Sequence, residues 1–398
     1  MFSALLKLVF GRLVPVLVLL VAILLGWCNL DDKYPWEARL FVFLIPLMKG
    51  YLPPHIVGDG KLGAKMTPPV PADLTPQPRP ENELFATLEG SGDSMPLAGI
   101  GMCCRETAYD QICVERTIEW FLFQGGRHID GAHLYMNHEA IGKGIRNANK
   151  KGAGIPREEI FMTTKVYPSY FGYQATRKVV ENSLEELGMD YVDMVLMHAP
   201  SRMVPGGKSA ECKSLTNEEC RLETWKALSD LRNEGKIRNA GVSNFHYRHL
   251  KGIIDLYEGN NSTIAPISNN QIPWNPWADD EHVETVNFCK SKNIQITAYN
   301  SLGGTTSEIG KAMELPTLKA LSEKYGRSIQ QIMLRWSIQS GAAVIPGTGN
   351  PKYMAENLRV YEFELSDAEM KSINDLRAEI RGDFMAPMKT FGETDEDV

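Results

Sequence analysis

From about Leu84 onward, short apolar runs alternate with longer segments whose apolar positions recur every three or four residues. The short runs predict strands at Ala98–Met102, Arg127–Asp130, Ile160–Lys165, Tyr191–His198, Ile237–Ser243, Ile267–Ile272, Ile294–Tyr299 and Ala342–Pro346. Helical periodicity lies between them, for example at Asp110–Gln124, Tyr173–Leu187, Glu218–Asn233, Asp279–Lys292 and Ile329–Ser340. Turn residues such as Leu187-Gly188-Met189-Asp190 and Glu234-Gly235-Lys236 punctuate the change from helix to strand. Eight such units in roughly 300 residues predict a parallel (β/α)8 barrel, the TIM-barrel architecture. The alternative, a doubly wound open sheet, calls for a GxGxxG turn after the first strand, and there is none. Ser91-Gly92-Asp93 reads as a hairpin turn closing the bottom of the barrel.

The first 83 residues have a different pattern. No charge occurs between Arg12 and Asp31, and Leu13 to Cys28 is almost wholly aliphatic. At about 1.5 Å per residue this run is about 27 Å of helix, close to the core of a thin bilayer. The expectation is a membrane anchor over residues 1–50. Its transmembrane helix would span about 13–30, an uncleaved signal anchor in an endoplasmic reticulum membrane, with an interfacial segment at 40–48. Basic residues on both sides leave its orientation open. Eight prolines between Pro53 and Pro80 mark residues 51–83 as an extended linker to a barrel domain over 84–398.

Composition narrows the function. The 398 residues carry 42 basic and 49 acidic side chains, a net charge of −7, which argues against a nucleic-acid partner. Seven cysteines without a CxxC pair exclude a disulfide-built scaffold and a structural zinc site, and no metal is expected.

A barrel of this kind does its chemistry at the carboxyl ends of its strands. There stand Asp130, with Tyr135 five residues on, then Lys165, His198, Ser243-Asn244, Gln271 and Tyr299. Singly, each has a plain structural reading: an interior Asp–Lys pair, a packing tyrosine, a core histidine. Together they suggest proton transfer to an oxygen. Lys165 is expected to lower the phenol pKa of Tyr135, Asp130 to hold Lys165, and His198 to fix the substrate oxygen. Without an activated Ser or Cys nucleophile the electron pair must come from a hydride donor. Tyr299 could stack on a nicotinamide, and Ser243, Asn244 and Gln271 could bind its carboxamide.

The segments GGRHIDGAHLYMNHEAIG (125–142), IFMTTKV (160–166), DMVLMHAP (193–200), GKIRNAGVSNF (235–245), NNQIPWNP (269–276), ITAYNSLG (296–303) and VIPGTGNPKYMAENL (344–358) carry a resemblance. In order and spacing, residues 84–398 resemble the aldo-keto reductase family. The resemblance implies a reductase of aldehyde or ketone carbonyls that uses NADPH, with NADH as the alternative cofactor. It implies Tyr135 as general acid with Asp130, Lys165 and His198. The cofactor would meet Gly101, Ser243, Asn244, Gln271, Tyr299, Leu302, Gly303, Thr348, Glu356 and Asn357, and the substrate pocket would include Cys103, Ala199 and Trp274.

The chain also departs from the family pattern. Gly347-Thr348 stands where many members have Lys-Ser, and Tyr353 where an arginine often faces the adenosine 2′-phosphate; Lys352 is the neighbouring cation. Cys103 and Ala199 stand where tryptophans are common, which implies a less aromatic, wider pocket. Asn300-Ser301 replaces Ser-Pro, which implies a looser cofactor loop. The insertion Ser201–Arg221 and the tail after Arg377, with Phe384, Met385, Met388 and Phe391, correspond to loops that shape specificity. Two overlapping glycosylation sequons at Asn260 and Asn261, and a Cys212–Cys220 disulfide, would suit a lumenal domain. A competing expectation is a membrane-tethered, cofactor-binding regulatory module with little turnover.

Overall fold

The computed structural model describes residues 67–201, 209–259, 263–303 and 313–380. An antiparallel hairpin, β1 (Phe85–Thr87) and β2 (Ser94–Pro96), comes first. Its turn is pinned to the barrel bottom: Ser91 Oγ donates to Asn239 Oδ1 at 2.7 Å, and Asn239 Nδ2 donates to Asp93 Oδ2 at 2.9 Å. Gly92 has φ 75°, the left-handed conformation that such a turn needs.

Eight strands then lie side by side in chain order, and every pairing is parallel: β3 (Gly99–Gly101), β4 (His128–Asp130), β5 (Phe161–Val166), β6 (Val192–Met197), β7 (Ile237–Ser243), β8 (Asn269–Pro273), β9 (Gln295–Tyr299) and β10 (Ala342–Val344). A parallel bridge between Ala98 and Val344, with Val344 N–H donating to Leu97 O, joins the last strand to the first. The sheet is a closed (β/α)8 barrel. Each predicted strand is present, with bounds that differ by a residue or two.

The helices between strands are α1 (Gln111–Phe123), α2 (His138–Lys150), α3 (Tyr173–Leu187), α4 (Asn217–Asn233), α5 (Tyr247–Glu258), α6 (Asp280–Ser291), α7 (Pro316–Tyr325) and α8 (Ile329–Gln339); α9 (Pro351–Leu358) and α10 (Asp367–Ile380) follow β10. Side-chain caps fix several starts. Asp110 accepts from Cys113 N–H at α1, and Thr216 with Glu219, and Ser328 with Gln331, form capping boxes at α4 and α8. Trp225, Phe121, Phe123 and Phe245 are among the largest fully buried side chains.

Residues 67–83, expected within the linker, lie along α1. Thr67 and Val70 are buried, Trp120 Nε1 donates to Pro68 O at 2.8 Å, and Gln77 N–H donates to Phe123 O at 2.6 Å. The Cys212–Cys220 disulfide is formed, with Cα atoms 5.5 Å apart, and ties the inserted loop to the first turn of α4. The expected anchor, both sequons and the apolar tail residues lie outside the described residues. Among the described residues, no helix is long and apolar enough to cross a membrane.

Candidate active site

Strand β4 ends in Asp130, and one helical turn at His133–Tyr135 delivers Tyr135. Strand β5 brings Lys165, and His198 follows the last residue of β6. Parallel registry sets these groups side by side: Gly101 is level with Asp130, and Asp130 with Thr163.

Lys165 is fully buried, and its Nζ donates to Asp130 Oδ1 at 2.5 Å, to Gly131 O at 2.9 Å and to Tyr135 Oη at 3.4 Å. The second carboxylate oxygen of Asp130 accepts from Gln271 Nε2 at 2.7 Å. The ammonium is therefore aimed at the phenol from behind, and its counter-ion is itself held by a side chain from β8. His198 meets the Tyr135 ring edge-on at 5.6 Å between centroids, and the Tyr167 ring at 6.1 Å.

The electrostatics correct one expectation. The Tyr135 pKa is raised well above its ordinary value of 10, first by burial and then by the negative charge of Asp130. Burial and Asp130 therefore outweigh the pull that Lys165 exerts on the phenol. The ammonium is spent first on Asp130 and Gly131, which are closer than Tyr135. Burial and the nearby Lys165 charge hold the His198 pKa well below 6.5. At neutral pH the site has a protonated phenol, an uncharged imidazole and a buried Lys–Asp pair.

The ends of β7, β8 and β9 carry the groups expected to hold a nicotinamide. Ser243 Oγ donates to Gln271 O at 3.0 Å, and Asn244 Nδ2 donates to His198 O at 2.9 Å. Tyr299 Oη donates to Asn244 Oδ1 at 2.7 Å, and burial together with the nearby Tyr135 raises its pKa. Asn244 takes a left-handed turn, φ 62°, which carries the chain off the barrel top at this point. A hydroxyl, two amides and one flat ring on neighbouring strand ends are the donors, acceptors and stacking surface that a carboxamide on an aromatic ring requires. These residues fit a nicotinamide cofactor.

Leu302 is half-buried, and Gly303 O accepts from Trp277 Nε1 at 3.2 Å. A Cβ on Gly303 would come within 1.9 Å of the Trp277 ring, so this approach requires glycine. Thr348 Oγ1 accepts from Asn350 N–H at 3.0 Å, just before α9, and Glu356 and Asn357 lie half-buried on that helix. Gly101 is buried, and a Cβ there would meet Ile345 O at 2.7 Å. Ala199 is fully buried behind His198, and Cys103 follows β3 at the rim. Trp274 does not join this group: it stacks on Trp336 at 5.7 Å, and its Nε1 donates to Ser340 Oγ at 3.0 Å.

Sequence reasoning missed four features. Gln271 grips Asp130 from 141 positions away. Asn137 Nδ2 donates to Met102 O at 2.8 Å, which fastens the first strand's loop beside Tyr135. Arg105 bonds the Gly101 carbonyl and lies over Gly347, where a Cβ would come within 2.7 Å of its Nη1. Burial lowers the pKa of this guanidinium to about 10. Cys103 and Cys104 are joined to each other by a disulfide. The adjacent cysteines were visible in the sequence; the arginine's placement had no local signal.

A profile described as the Aldo/keto reductase family matches residues 101–378. The chain is 34% identical over 287 residues to the 9,11-endoperoxide prostaglandin H2 reductase of Trypanosoma cruzi, covering 72% of this chain and 89% of that protein. It is 31% identical to the rat aldo-keto reductase family 1 member C15, covering 74% and 92%. Among solved structures, it is similar to a Bombyx mori aldo-keto reductase in complex with NADP. The TM-score is 0.62 at 29% identity, covering 75% of this chain and 93% of that one. An aldo-keto reductase from a Medee basin deep-sea metagenome library gives a TM-score of 0.64 at 29% identity, covering 78% and 99%. The chain belongs to the aldo/keto reductase family and is an NAD(P)H-dependent reductase.

Proposed function

We propose that this chain reduces aldehyde or ketone carbonyls to alcohols with NADPH, and that Tyr135 supplies the proton. The observation that carries the reading is the Tyr135–Lys165–Asp130 relay, closed behind by Gln271. Ser243, Asn244, Gln271 and Tyr299 would hold the nicotinamide of NADPH, which would supply a hydride to the carbonyl carbon. Tyr135 Oη donates its proton to the carbonyl oxygen as that oxygen gains electrons. The ammonium of Lys165, 3.4 Å behind the phenol oxygen, stabilises the phenolate left by that transfer. Asp130 and Gly131 hold the ammonium in place. His198, uncharged, offers one N–H to the same carbonyl oxygen and orients it. Solvent then returns the proton to Tyr135. The raised Tyr135 pKa keeps the phenol protonated at neutral pH, and the Lys165 ammonium offsets the weaker acidity by stabilising the phenolate as it forms.

The chain is proposed to sit in an endoplasmic reticulum membrane through residues 1–50, where it would meet lipophilic carbonyls. Support comes from the uncharged run Leu13 to Cys28 and from two disulfides, a chemistry that oxidising compartments favour. The test of function is fluorescence titration of the full chain, purified in mild detergent, with NADPH and NADH, followed by a panel of aromatic and aliphatic aldehydes. NADPH binding with steady turnover is expected. Binding without turnover on any carbonyl would overturn the reading and favour a regulatory module. Protease protection in sealed microsomes tests the membrane assignment; release of the full chain by alkaline carbonate would contradict it.

A further inference from the structure

We propose that Cys103–Cys104 is a reversible thiol–disulfide site at the rim of the active site, through which a dithiol partner sets the shape of the carbonyl pocket. The two cysteines are neighbours in sequence and bonded to each other, directly after β3. Cys104 is exposed and Cys103 half-buried, so a reductant can reach the bond. The other two described thiols, Cys113 and Cys289, are buried.

The position of the pair gives the bond its consequence. The preceding residue, Met102, receives Asn137 Nδ2 on its carbonyl, and Asn137 stands two residues after Tyr135. The following residue, Arg105, bonds the Gly101 carbonyl, donates through Nε to Thr107 Oγ1 at 3.1 Å and covers Gly347. Tyr109 closes the same loop. Its hydroxyl is buried between the Cys104 backbone, which hydrogen-bonds it, and Tyr135. Cys104 has φ 64°, a left-handed backbone that residues with a Cβ seldom adopt. A covalent bond between adjacent side chains restrains the 103–104 peptide; two separate thiols do not. Reduction therefore lets Cys104 return to an ordinary backbone conformation, which shifts Arg105 on the cofactor side and the backbone facing Tyr109 on the substrate side.

The chemistry balances with a dithiol. One thiolate of the partner attacks Cys104 Sγ, forming a mixed disulfide and releasing the Cys103 thiolate, which takes a proton. The partner's second thiolate then displaces Cys104 Sγ and closes the partner's own disulfide. The pair gains two electrons and two protons, and the dithiol loses the same. The oxidised partner reverses both steps.

The test uses the full chain in mild detergent, equilibrated with dithiothreitol or with its cyclic oxidised form. Each sample is alkylated with N-ethylmaleimide and mapped by mass spectrometry. The peptide that carries Cys103 and Cys104 is expected to hold two adducts after reduction and none after oxidation, reversibly. Between these states the KM for an aromatic aldehyde, the Kd for NADPH, or both should differ by about tenfold, the scale on which small changes in a pocket wall are felt. The C103S/C104S double variant should lose this response, and C212S/C220S should keep it. The KM readout rests on the proposed carbonyl reduction; the adduct count and the NADPH titration do not. Two adducts under both conditions, none under either, or interconversion that leaves both constants unchanged would overturn the proposal.

Discussion

The group Asp130, Tyr135, Lys165 and His198 and the residues proposed for the outer end of the cofactor, Thr348, Glu356 and Asn357, differ in how the fold holds them. Asp130 has both carboxylate oxygens engaged, by Lys165 and by Gln271, and Lys165 is buried with three acceptors around its ammonium. At the other end, Thr348, Glu356 and Asn357 are half-buried, and the ion pair beside them, Lys352–Glu356, is 3.7 Å long with Lys352 largely exposed. One region is over-determined by strands, and the other is set on a short helix and its leading loop. The contrast teaches that the barrel builds the groups proposed for proton transfer into its interior. The residues proposed for the cofactor's charged end are surface side chains, which can be exchanged without disturbing the buried Lys165–Asp130 pair. Gly347 and Tyr353, two of this chain's departures from the pattern of its family, stand in the second region.

That contrast can be broken or sharpened by substitution. The largest effect is expected from Tyr135→Phe, which removes the proton donor. Steady-state NADPH oxidation with an aromatic aldehyde should fall about 10²- to 10⁴-fold while the NADPH Kd stays the same. Full activity in this variant would break the account of the tetrad.

The same pair of regions should separate in denaturant. Lys165→Met leaves Asp130 buried without its cation, and the loss is expected to be about 3–5 kcal/mol. Lys352→Met removes an exposed, long pair and should cost less than about 1 kcal/mol. Chemical unfolding of the two variants checks the difference, and equal losses would contradict the comparison.

The smallest effect is expected at Gly347→Lys. The new side chain must displace the Arg105 guanidinium, which a Cβ at this position would meet at 2.7 Å, and it adds a cation at the half-exposed end. The ratio of NADH to NADPH dissociation constants should rise about two- to fivefold, in keeping with a solvent-screened charge. Fluorescence titration measures it.

Much of this architecture was legible beforehand, for a physical reason. A strand in a parallel barrel is covered on both faces, so it appears as a mostly apolar run, as in β6 (VDMVLM), where Asp193 is the one charged residue. Polar residues at the ends of such runs stand out: Asp130, Lys165, His198, Ser243 and Gln271 were found that way. What stayed hidden depends on distance or on competition between effects. The Gln271–Asp130 bond joins positions 141 apart, and Trp274 was assigned to the pocket although its ring packs on Trp336 and Ser340. The pKa of Tyr135 went the opposite way to the expectation, because an ion pair seen as a motif says nothing about how deeply it is buried. The stretch at 67–83 looked like a spacer from its prolines, yet its apolar and backbone groups lie on α1.

The central claim is that an uncharged Tyr135 donates the proton from a site that the fold has already assembled. The pH dependence of kcat/KM for aldehyde reduction tests it most directly. The active form holds the Tyr135 proton and the Lys165 ammonium, so activity is lost as pH rises through the Lys165 pKa, which burial lowers from 10.5, or through the raised pKa of Tyr135. It also needs neutral His198, so activity is lost only as pH falls through a pKa held well below 6.5. A level profile through neutral pH is predicted, with no titration of Tyr135 near pH 7 to 8. A fall with an apparent pKa near 7 to 8, absent in Tyr135→Phe, would mean that Lys165 depresses the phenol after all and would contradict the account.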